Sequence, residues 1–296
     1  MNKKRIIVDA DPATGVPFKD VDDGLAILLL LASPEISLEG LTINFGNVNA
    51  TLGCKIAKDV LAILGEKIPV VQGAEKRDDL GKSNPAVDFL IETVRNNPGE
   101  ITLLAIAPLT NVATAMMLDD SFAKNLKDLV VMGGALKFKG FSYFGEFNFH
   151  LGGMATSTVI SAPIPKTVIT MDLCSQAVFR QGHLDQFKEN AGSAVSRYLA
   201  LNIEPWLNLN RKIFFRKKGF FPWDVVAAAY LIDETLFDKN PVTFSVRTEG
   251  SRSGSIFAFR NLADFAGADN VVPINMPRTL KVDKFMEIFI NRLLKL

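Results

Sequence analysis

Short apolar segments with the length of β-strands alternate along the chain with longer segments that have the apolar spacing of helices. The first such unit runs from the apolar segment Ile6–Val8 through the helix-like segment Gly24–Ser33 to the strand-like segment Ser37–Phe45. Parallel strands need a long crossover, usually a helix, between them. The alternation therefore predicts an α/β fold, with a mostly parallel, open Rossmann-like central sheet flanked by helices.

The same alternation continues toward the carboxyl terminus. Further helices are predicted at 51–64, 86–95, 109–118, 156–161, 183–217, 225–232 and 282–294, and further strands at 68–72, 101–106, 129–132, 166–171, 242–247, 255–260 and 271–276. The region around Trp206 departs from the rhythm, and its residues suit helices that project beyond the sheet and form a wall of a pocket. Ordinary helix packing with a solvated basic face is the simpler alternative for any one of these residues. Because no Pro/Gly-rich linker interrupts the chain, residues 1–296 are predicted to form a single domain.

Charge and hydropathy exclude several classes of function. Lys and Arg number 33 against 32 Asp and Glu, which is far from the basic surface expected of a nucleic-acid-binding protein. The longest apolar stretches, such as Leu25–Ala32, are too short to cross a membrane, and no signal peptide is recognisable. We therefore expect a cytoplasmic protein whose partner is a small molecule, not nucleic acid or a membrane.

Acidic residues are concentrated at the first strand-to-helix turn, where Asp9 and Asp11 follow the strand and Asp22 and Asp23 begin the helix. Neighbouring carboxylates repel each other, so this arrangement is unfavourable unless a hard cation lies among them or one acid has a raised pKa and acts as a base. A helix N-cap is the simpler explanation for Asp22 or Asp23. Capping accounts for one acid and leaves the others unexplained, so this turn is the best candidate for an active site.

Other polar residues and glycines end several predicted strands. In an open parallel sheet ligands bind outside the carboxyl ends of the strands, where such residues meet. The residues at these positions are Asp9, Asp11, Asn44, Asn47, Pro108, Gly133, Gly134 and Asp172.

A series of motifs in the chain resembles, in order and separation, those of the inosine-uridine-preferring nucleoside hydrolases. The motifs are Asp9-Ala10-Asp11-Pro12, Val21-Asp22-Asp23, Gly46-Asn47-Val48, Ala107-Pro108-Leu109-Thr110-Asn111, Val131-Met132-Gly133-Gly134, Glu146-Phe147-Asn148 and Trp223-Asp224. The resemblance implies a single nucleoside-hydrolase-like domain, assembled as a homodimer or homotetramer, and an enzyme that hydrolyses the N-glycosidic bond of ribonucleosides to free base and ribose.

The resemblance also implies a Ca²⁺ ion and a set of ligands for it. The ion would be held by Asp11, Asp23, Asp224 and a backbone carbonyl, that of Val131. Asp11 would in addition be the general base that takes a proton from a water molecule acidified by the ion.

Further residues are assigned to the substrate by the same resemblance. Asp22 and Asn148 would bind the 2′-hydroxyl of the ribose, and Asn47 would hold the ribose or the water. Asp224 would reach the 3′-hydroxyl as well as the metal, and Glu146 would face the 5′-hydroxyl. Such acids would stabilise the positive charge that develops on the sugar as the bond breaks.

Trp223 occupies a position where many relatives have a histidine. An indole cannot donate a proton at neutral pH, but it can stack on a purine and favour the protonated base. We expect Trp223 to stack on one face of the base and Phe147 on the other. This stacking predicts a preference for purine nucleosides. The alternative is an ordinary core tryptophan beside a helix start.

The chain departs from the family pattern in ways that leave other functions open. The insertion Ala13–Asp20 separates Asp11 from Asp22 and Asp23, and its last residue is either an additional ligand or, more simply, a solvated loop acid. Gly140 stands where relatives have an asparagine for the 5′-hydroxyl. Two alternatives follow: a non-catalytic nucleoside- or ribose-binding homologue, or a hydrolase of another riboside, such as nicotinamide riboside or an ADP-ribose derivative.

Overall fold

The computed structural model describes residues 3–136, 146–212, 218–246, 256–259 and 274–296. Gly140 therefore lies outside the described residues. Within the described ranges, no helix is both long enough and apolar enough to cross a bilayer.

One mixed sheet forms the centre of the protein. Its strands are β1 (Lys4–Ala10), β2 (Ile36–Ile43), β3 (Val70–Gln72), β4 (Ile101–Ala105), β5 (Asp128–Met132), β6 (Lys166–Ile169), β7 (Pro241–Val246), β8 (Ile256–Phe259) and β9 (Ile274–Asn275). They lie in the order β3-β2-β1-β4-β5-β6-β9-β7-β8. The strands from β3 to β9 in this order are parallel, whereas β7 runs antiparallel to both β9 and β8. The predicted α/β fold with a mostly parallel sheet is confirmed.

Helices cover both faces of the sheet. They are α1 (Asp22–Leu31), α2 (Ala50–Ile63), α3 (Pro85–Asn96), α4 (Thr110–Leu118), α5 (Phe122–Asn125), α6 (Phe147–Gly152), α7 (Met154–Ser161), α8 (Met171–Cys174), α9 (Gln181–Glu189), α10 (Ala194–Lys212), α11 (Trp223–Ile232) and α12 (Val282–Leu294). Most predicted helices agree with these bounds within a few residues. The predicted helical region 183–217 contains two helices, α9 and α10, and its residues 213–217 lie outside the described residues. The short helices α5, α6 and α8 were not predicted, because four to six residues are too few to show a helical period.

The alternation of side chains along β1 connects the sheet to two separate apolar cores. Ile6 and Val8 point to one face, where they join α1, α2, α11 and α12, while Ile7 joins the core beneath α3, α4 and α7. Helix α1 is apolar over nearly its whole surface, and its residues from Asp22 to Leu30 are buried. A helix that is apolar all round must be buried, so α1 packs between the sheet and α11.

Parallel pairing fixes where the ends of the strands meet. Asp9 near the end of β1 lies beside Thr42 of β2 and Ala105 of β4, and Val131 of β5 continues the same row. The loops that follow these strands, together with the first turns of α1 and α11, therefore converge at one edge of the sheet.

Candidate active site

A cavity with a volume of about 310 Å³ opens at this edge. Its walls are formed by Asp11, Phe18, Lys19, Asp20, Asp22, Asn47, Ile106, Met132, Glu146, Phe147, Asn148, Met171, Trp206, Asn210, Trp223 and Asp224. Most of the predicted site residues are among them. Two are not, Asp23 and Val131. Trp206 of α10 forms part of the wall, as predicted for this region.

Three carboxylates converge on the first turns of two helices, and two of them, Asp22 and Asp224, line the cavity. Asp22 and Asp23 begin α1 and Asp224 lies in the first turn of α11, and one oxygen of each lies within 4.8 Å of the others. All three side chains are buried. The backbone N–H of Asp224 donates to Oδ2 of Asp22 at 3.3 Å, which ties the two helix starts together although the residues are 202 positions apart.

Asp11 lies next to this cluster. Its backbone N–H donates to Oδ1 of Asp23 at 2.9 Å, and its Oδ2 accepts the backbone N–H of Asn47. A side chain at Gly46 would place its Cβ 2.0 Å from the same Oδ2 atom. The glycine is therefore required for the loop after β2 to close over the Asp11 carboxylate.

Burial in this cluster opposes ionisation of the acids. It raises the pKa of Asp11, Asp23 and Asp224 well above the usual value, and the charges of neighbouring carboxylates raise the pKa of each further. Oδ2 of Asp23 is buried without a hydrogen-bond partner among the described residues. Hard divalent cations bind to carboxylate oxygens that converge on one point, and an oxygen without a hydrogen-bond partner is free to bind such an ion. The residues present therefore fit a divalent metal ion.

Asp9 lies close enough to Asp11 for its charge to raise the pKa of Asp11, but its own side chain bonds to neighbouring elements and not to the acid cluster. Its Oδ1 accepts hydrogen bonds from the Thr42 hydroxyl at 2.7 Å and the Asn111 amide at 2.8 Å. Burial raises its pKa to about 6. Asn111 in turn accepts the backbone N–H of Ala74, so Asp9 connects β1, β2 and α4 beneath the site.

Asn148 and Glu146 reach the cavity from the start of α6. The Nδ2 group of Asn148 donates to the backbone carbonyls of Ile106 at 3.1 Å and Met132 at 3.4 Å. Glu146 is the N-cap of α6, and its carboxylate accepts the backbone N–H groups of Gly134, Asn148 and Phe149. Glu146 therefore has a structural role at this helix start, whether or not it also faces a 5′-hydroxyl.

Val131 lies in β5 with its side chain in the core under α3, α4 and α7, while the neighbouring Met132 lines the cavity. Its carbonyl belongs to the segment that ends β5 at the site. The assignment of this carbonyl as a metal ligand stays a prediction.

Aromatic side chains that are partly or largely exposed also line the cavity. Trp223 is half-buried at the start of α11, with its ring centroid 4.8 Å from that of Phe221. Phe147 is 49% exposed and also lines the cavity. Trp223 is thus neither a fully buried core residue nor a surface residue, and one part of it can contact a ligand.

The insertion Ala13–Asp20 folds against the cavity. Ala13 and Thr14 are buried, and the chain then turns outward at Gly15, which has a positive φ of 86°. Asp20 is partly buried, lines the cavity and shares a hydrogen bond with Asp22, so the expectation of a solvated loop acid was wrong.

Phe18 and Lys19, in the same insertion, also line the cavity, and we did not predict them. Nothing in their sequence context distinguishes them from solvated loop residues. A second cavity, of about 570 Å³, lies between the insertion and α10 and shares Phe18, Lys19 and Trp206 with the first.

Comparison with known proteins adds independent evidence. A family model described as inosine-uridine preferring nucleoside hydrolase matches residues 6–287. The Arabidopsis thaliana protein named Probable uridine nucleosidase 2 is 28% identical over 328 aligned positions, which cover 97% of this chain and 98% of the relative.

Two solved structures share the fold. A plant nucleoside hydrolase superimposes with a TM-score of 0.88 at 24% identity and covers 98% of each chain. The purine-preferring ribonucleoside hydrolase from Gardnerella vaginalis has a TM-score of 0.86 at 24% identity, with 99% of this chain and 98% of that one covered.

Proposed function

The chain belongs to the inosine-uridine preferring nucleoside hydrolase family, and from this premise we propose that it is a Ca²⁺-dependent hydrolase that cleaves the N-glycosidic bond of ribonucleosides, with a lean toward purines. The observation that carries the proposal is the convergence of Asp22, Asp23 and Asp224 at a cavity that is lined by two of them, Asp22 and Asp224, together with Asp11. Acids that lie this close in a buried position are unfavourable without a cation and without a substrate that acquires positive charge.

We assign Asp11, Asp23, Asp224 and the Val131 carbonyl to the ion. Asp22 lies close enough to its helix neighbours to serve either the ion or the 2′-hydroxyl. When bound, Ca²⁺ would lower the pKa of a water molecule and would fix the ribose hydroxyls. Carboxylate and carbonyl oxygens in an irregular arrangement suit Ca²⁺ better than a softer metal.

Asp11 is the proposed general base. Burial and the neighbouring carboxylates raise its pKa in the metal-free site, and a carboxylate with a raised pKa is a stronger base toward the attacking water. The Asn47 N–H holds one of its oxygens in place. A base whose orientation is already fixed loses less conformational entropy when the transition state forms.

Asn148 and Asn47 are proposed to hold the ribose. The Nδ2 group of Asn148 donates its hydrogen bonds to two backbone carbonyls. The amide oxygen of Asn148 is therefore the atom that we assign to the 2′-hydroxyl. As the glycosidic bond breaks, the sugar becomes positively charged. The surrounding carboxylates then stabilise it more than they stabilise the neutral substrate.

The preference among bases rests on Trp223 and Phe147, whose rings are proposed to stack on a purine. The relatives do not agree on a base, because one is named a probable uridine nucleosidase and another a purine-preferring ribonucleoside hydrolase. The proposed preference for purines is therefore supported by the two aromatic side chains alone.

A release assay tests the proposal. Purified protein is incubated with inosine, adenosine, guanosine, uridine and cytidine, with added Ca²⁺ or with a chelator, and free base and reducing sugar are measured. We expect release from purine nucleosides that stops with the chelator and returns with Ca²⁺. The Trp223→Ala variant should lose kcat on inosine more than on uridine.

Full kcat of Trp223→Ala on inosine would contradict the stacking role. Protection of the protein against heating by inosine, without any release of hypoxanthine, would indicate a non-catalytic binding protein.

A larger riboside is the second candidate substrate. The second cavity adjoins the first along Phe18, Lys19 and Trp206, which leaves room beside a bound nucleoside. Nicotinamide riboside and an ADP-ribose derivative belong in the same panel. Faster release from either than from every simple nucleoside would favour this alternative.

Cytoplasmic localisation and assembly as a homodimer or homotetramer stay predictions. Light scattering of the purified protein measures its oligomeric state directly.

A further inference from the structure

The departing base presents a chemical problem that stacking by Trp223 addresses only in part. When the bond between C1′ and the base nitrogen breaks, the electron pair passes to the base, which becomes negatively charged unless it is protonated. An indole such as that of Trp223 has no acidic proton at neutral pH. A positively charged group near the base would stabilise this charge in the transition state.

Lys19 is the one cationic side chain among the residues that line the cavity within the described ranges. The other charged residues there are Asp11, Asp20, Asp22, Glu146 and Asp224. In the part of the chain that the structure describes, Lys19 forms no ion pair that would neutralise it.

Burial shows at which end of the cavity Lys19 lies. Asp11, Asp22 and Asp224 are buried at the inner end, whereas Lys19 is exposed and borders the second cavity together with Phe18 and Trp206. A nucleoside that places its ribose on the acids must direct its base away from them. The base then extends toward the outer end, where Lys19 and the aromatic side chains lie.

The insertion holds Lys19 in this position. The Val16 N–H donates to the Ala13 carbonyl at 2.9 Å, and the Lys19 N–H donates to the Val16 carbonyl at 3.2 Å. On the other side, the Val21 N–H donates to Oδ1 of Asp20 at 2.7 Å. Consecutive turns anchored at both ends restrict the position of the Lys19 backbone.

We propose that Lys19 is a catalytic residue whose ammonium group contacts the departing base and stabilises its negative charge. The C1′–N bond breaks with its electron pair on the base, and a new C1′–O bond forms to water. Asp11 takes one proton from this water, and solvent protonates the base, so the products are neutral base and ribose. The role rests on the proposed hydrolase function.

Two substrates separate this role from a structural one. Inosine releases hypoxanthine, a poor leaving group that needs stabilisation. p-Nitrophenyl β-D-ribofuranoside releases a phenolate that is stable without it, while its ribose makes the same contacts. Parent protein, Lys19→Met, Lys19→Arg and the control Lys55→Met, which removes an exposed lysine of α2, are compared on both substrates.

We expect Lys19→Met to lower kcat/KM on inosine by about 10- to 100-fold and to leave the rate on the aryl riboside close to that of the parent. Lys19→Arg should recover most of the loss, because it retains the charge. Lys55→Met should match the parent on both substrates. Thermal unfolding of each variant, with and without Ca²⁺, verifies that the fold is intact.

An unchanged rate of Lys19→Met on inosine overturns the proposal. An equal loss of kcat/KM on both substrates also overturns the proposal, because such a loss would mean that Lys19 acts in ribose binding or in the structure of the loop. If the parent protein cleaves neither substrate, the hydrolase function itself is refuted. This result is distinguishable from the two outcomes that overturn the role of Lys19 alone.

Discussion

The buried carboxyl of Asp9 should make the stability of the metal-free protein depend on pH in a way that one substitution removes. Burial raises the pKa of Asp9 to about 6 from the value of 3.8 expected in the unfolded chain. Between these two values the folded state binds more protons than the unfolded state, so stability is lost as pH rises. Above pH 6 the full loss is about 3 kcal/mol, since each pKa unit corresponds to about 1.36 kcal/mol.

Asp9→Asn cannot ionise and therefore escapes this loss. The amide keeps an oxygen that can accept from Thr42 and Asn111, but it places an N–H₂ group where Oδ2 has no hydrogen-bond partner. That group costs about 1–3 kcal/mol at every pH. The pH-dependent part is thus the sharper prediction: relative to the parent, the variant should gain roughly 1.4 kcal/mol between pH 5 and pH 8.

Urea unfolding at both pH values, in the presence of a chelator, measures this difference. The Asp120→Asn variant, which removes an exposed carboxylate, is measured in the same way as the matched control. A difference between Asp9→Asn and the parent that is the same at pH 5 and pH 8 would refute the reasoning. A variant that becomes relatively less stable at pH 8 would do so as well.

Two further substitutions test the site directly. Asp11→Asn should lower kcat on inosine by about 10²- to 10⁴-fold, because it removes the general base; activity near that of the parent in the release assay would rule out the assignment. Gly46→Ala should reduce kcat while the protein stays folded, because the new Cβ would lie 2.0 Å from Oδ2 of Asp11 and must displace that carboxylate. Circular dichroism verifies the fold of the Gly46 variant, and full activity would show that the loop shifts instead.

The order of strands and helices could be predicted well because the signal for each element is local. The apolar runs of α1 and β1 are each visible within ten residues of sequence. Helix α6 could not be predicted in this way. Its start depends on Glu146, whose carboxylate also accepts the N–H of Gly134, twelve residues earlier in the chain.

The candidate site could be predicted in part. Asp11, Asp22 and Asp224 were found from motifs and lie together in the cavity. Lys19 and Phe18 could not be found, because an exposed loop residue looks the same in sequence whether it faces solvent or a ligand. The fold of the insertion against α10 decides this, and the contact between them is long-range.

By itself, the sequence determined the alternation of elements and hence the parallel sheet, since hydrophobic periodicity is a property of neighbouring residues. Tertiary structure alone decided which acids meet. Asp9 lies two residues from Asp11 yet bonds to β2 and α4, whereas Asp224 reaches Asp22 across 202 residues. The packing of α1 against α11 brings the second pair together, and burial of that cluster gives its carboxylates their raised pKa values.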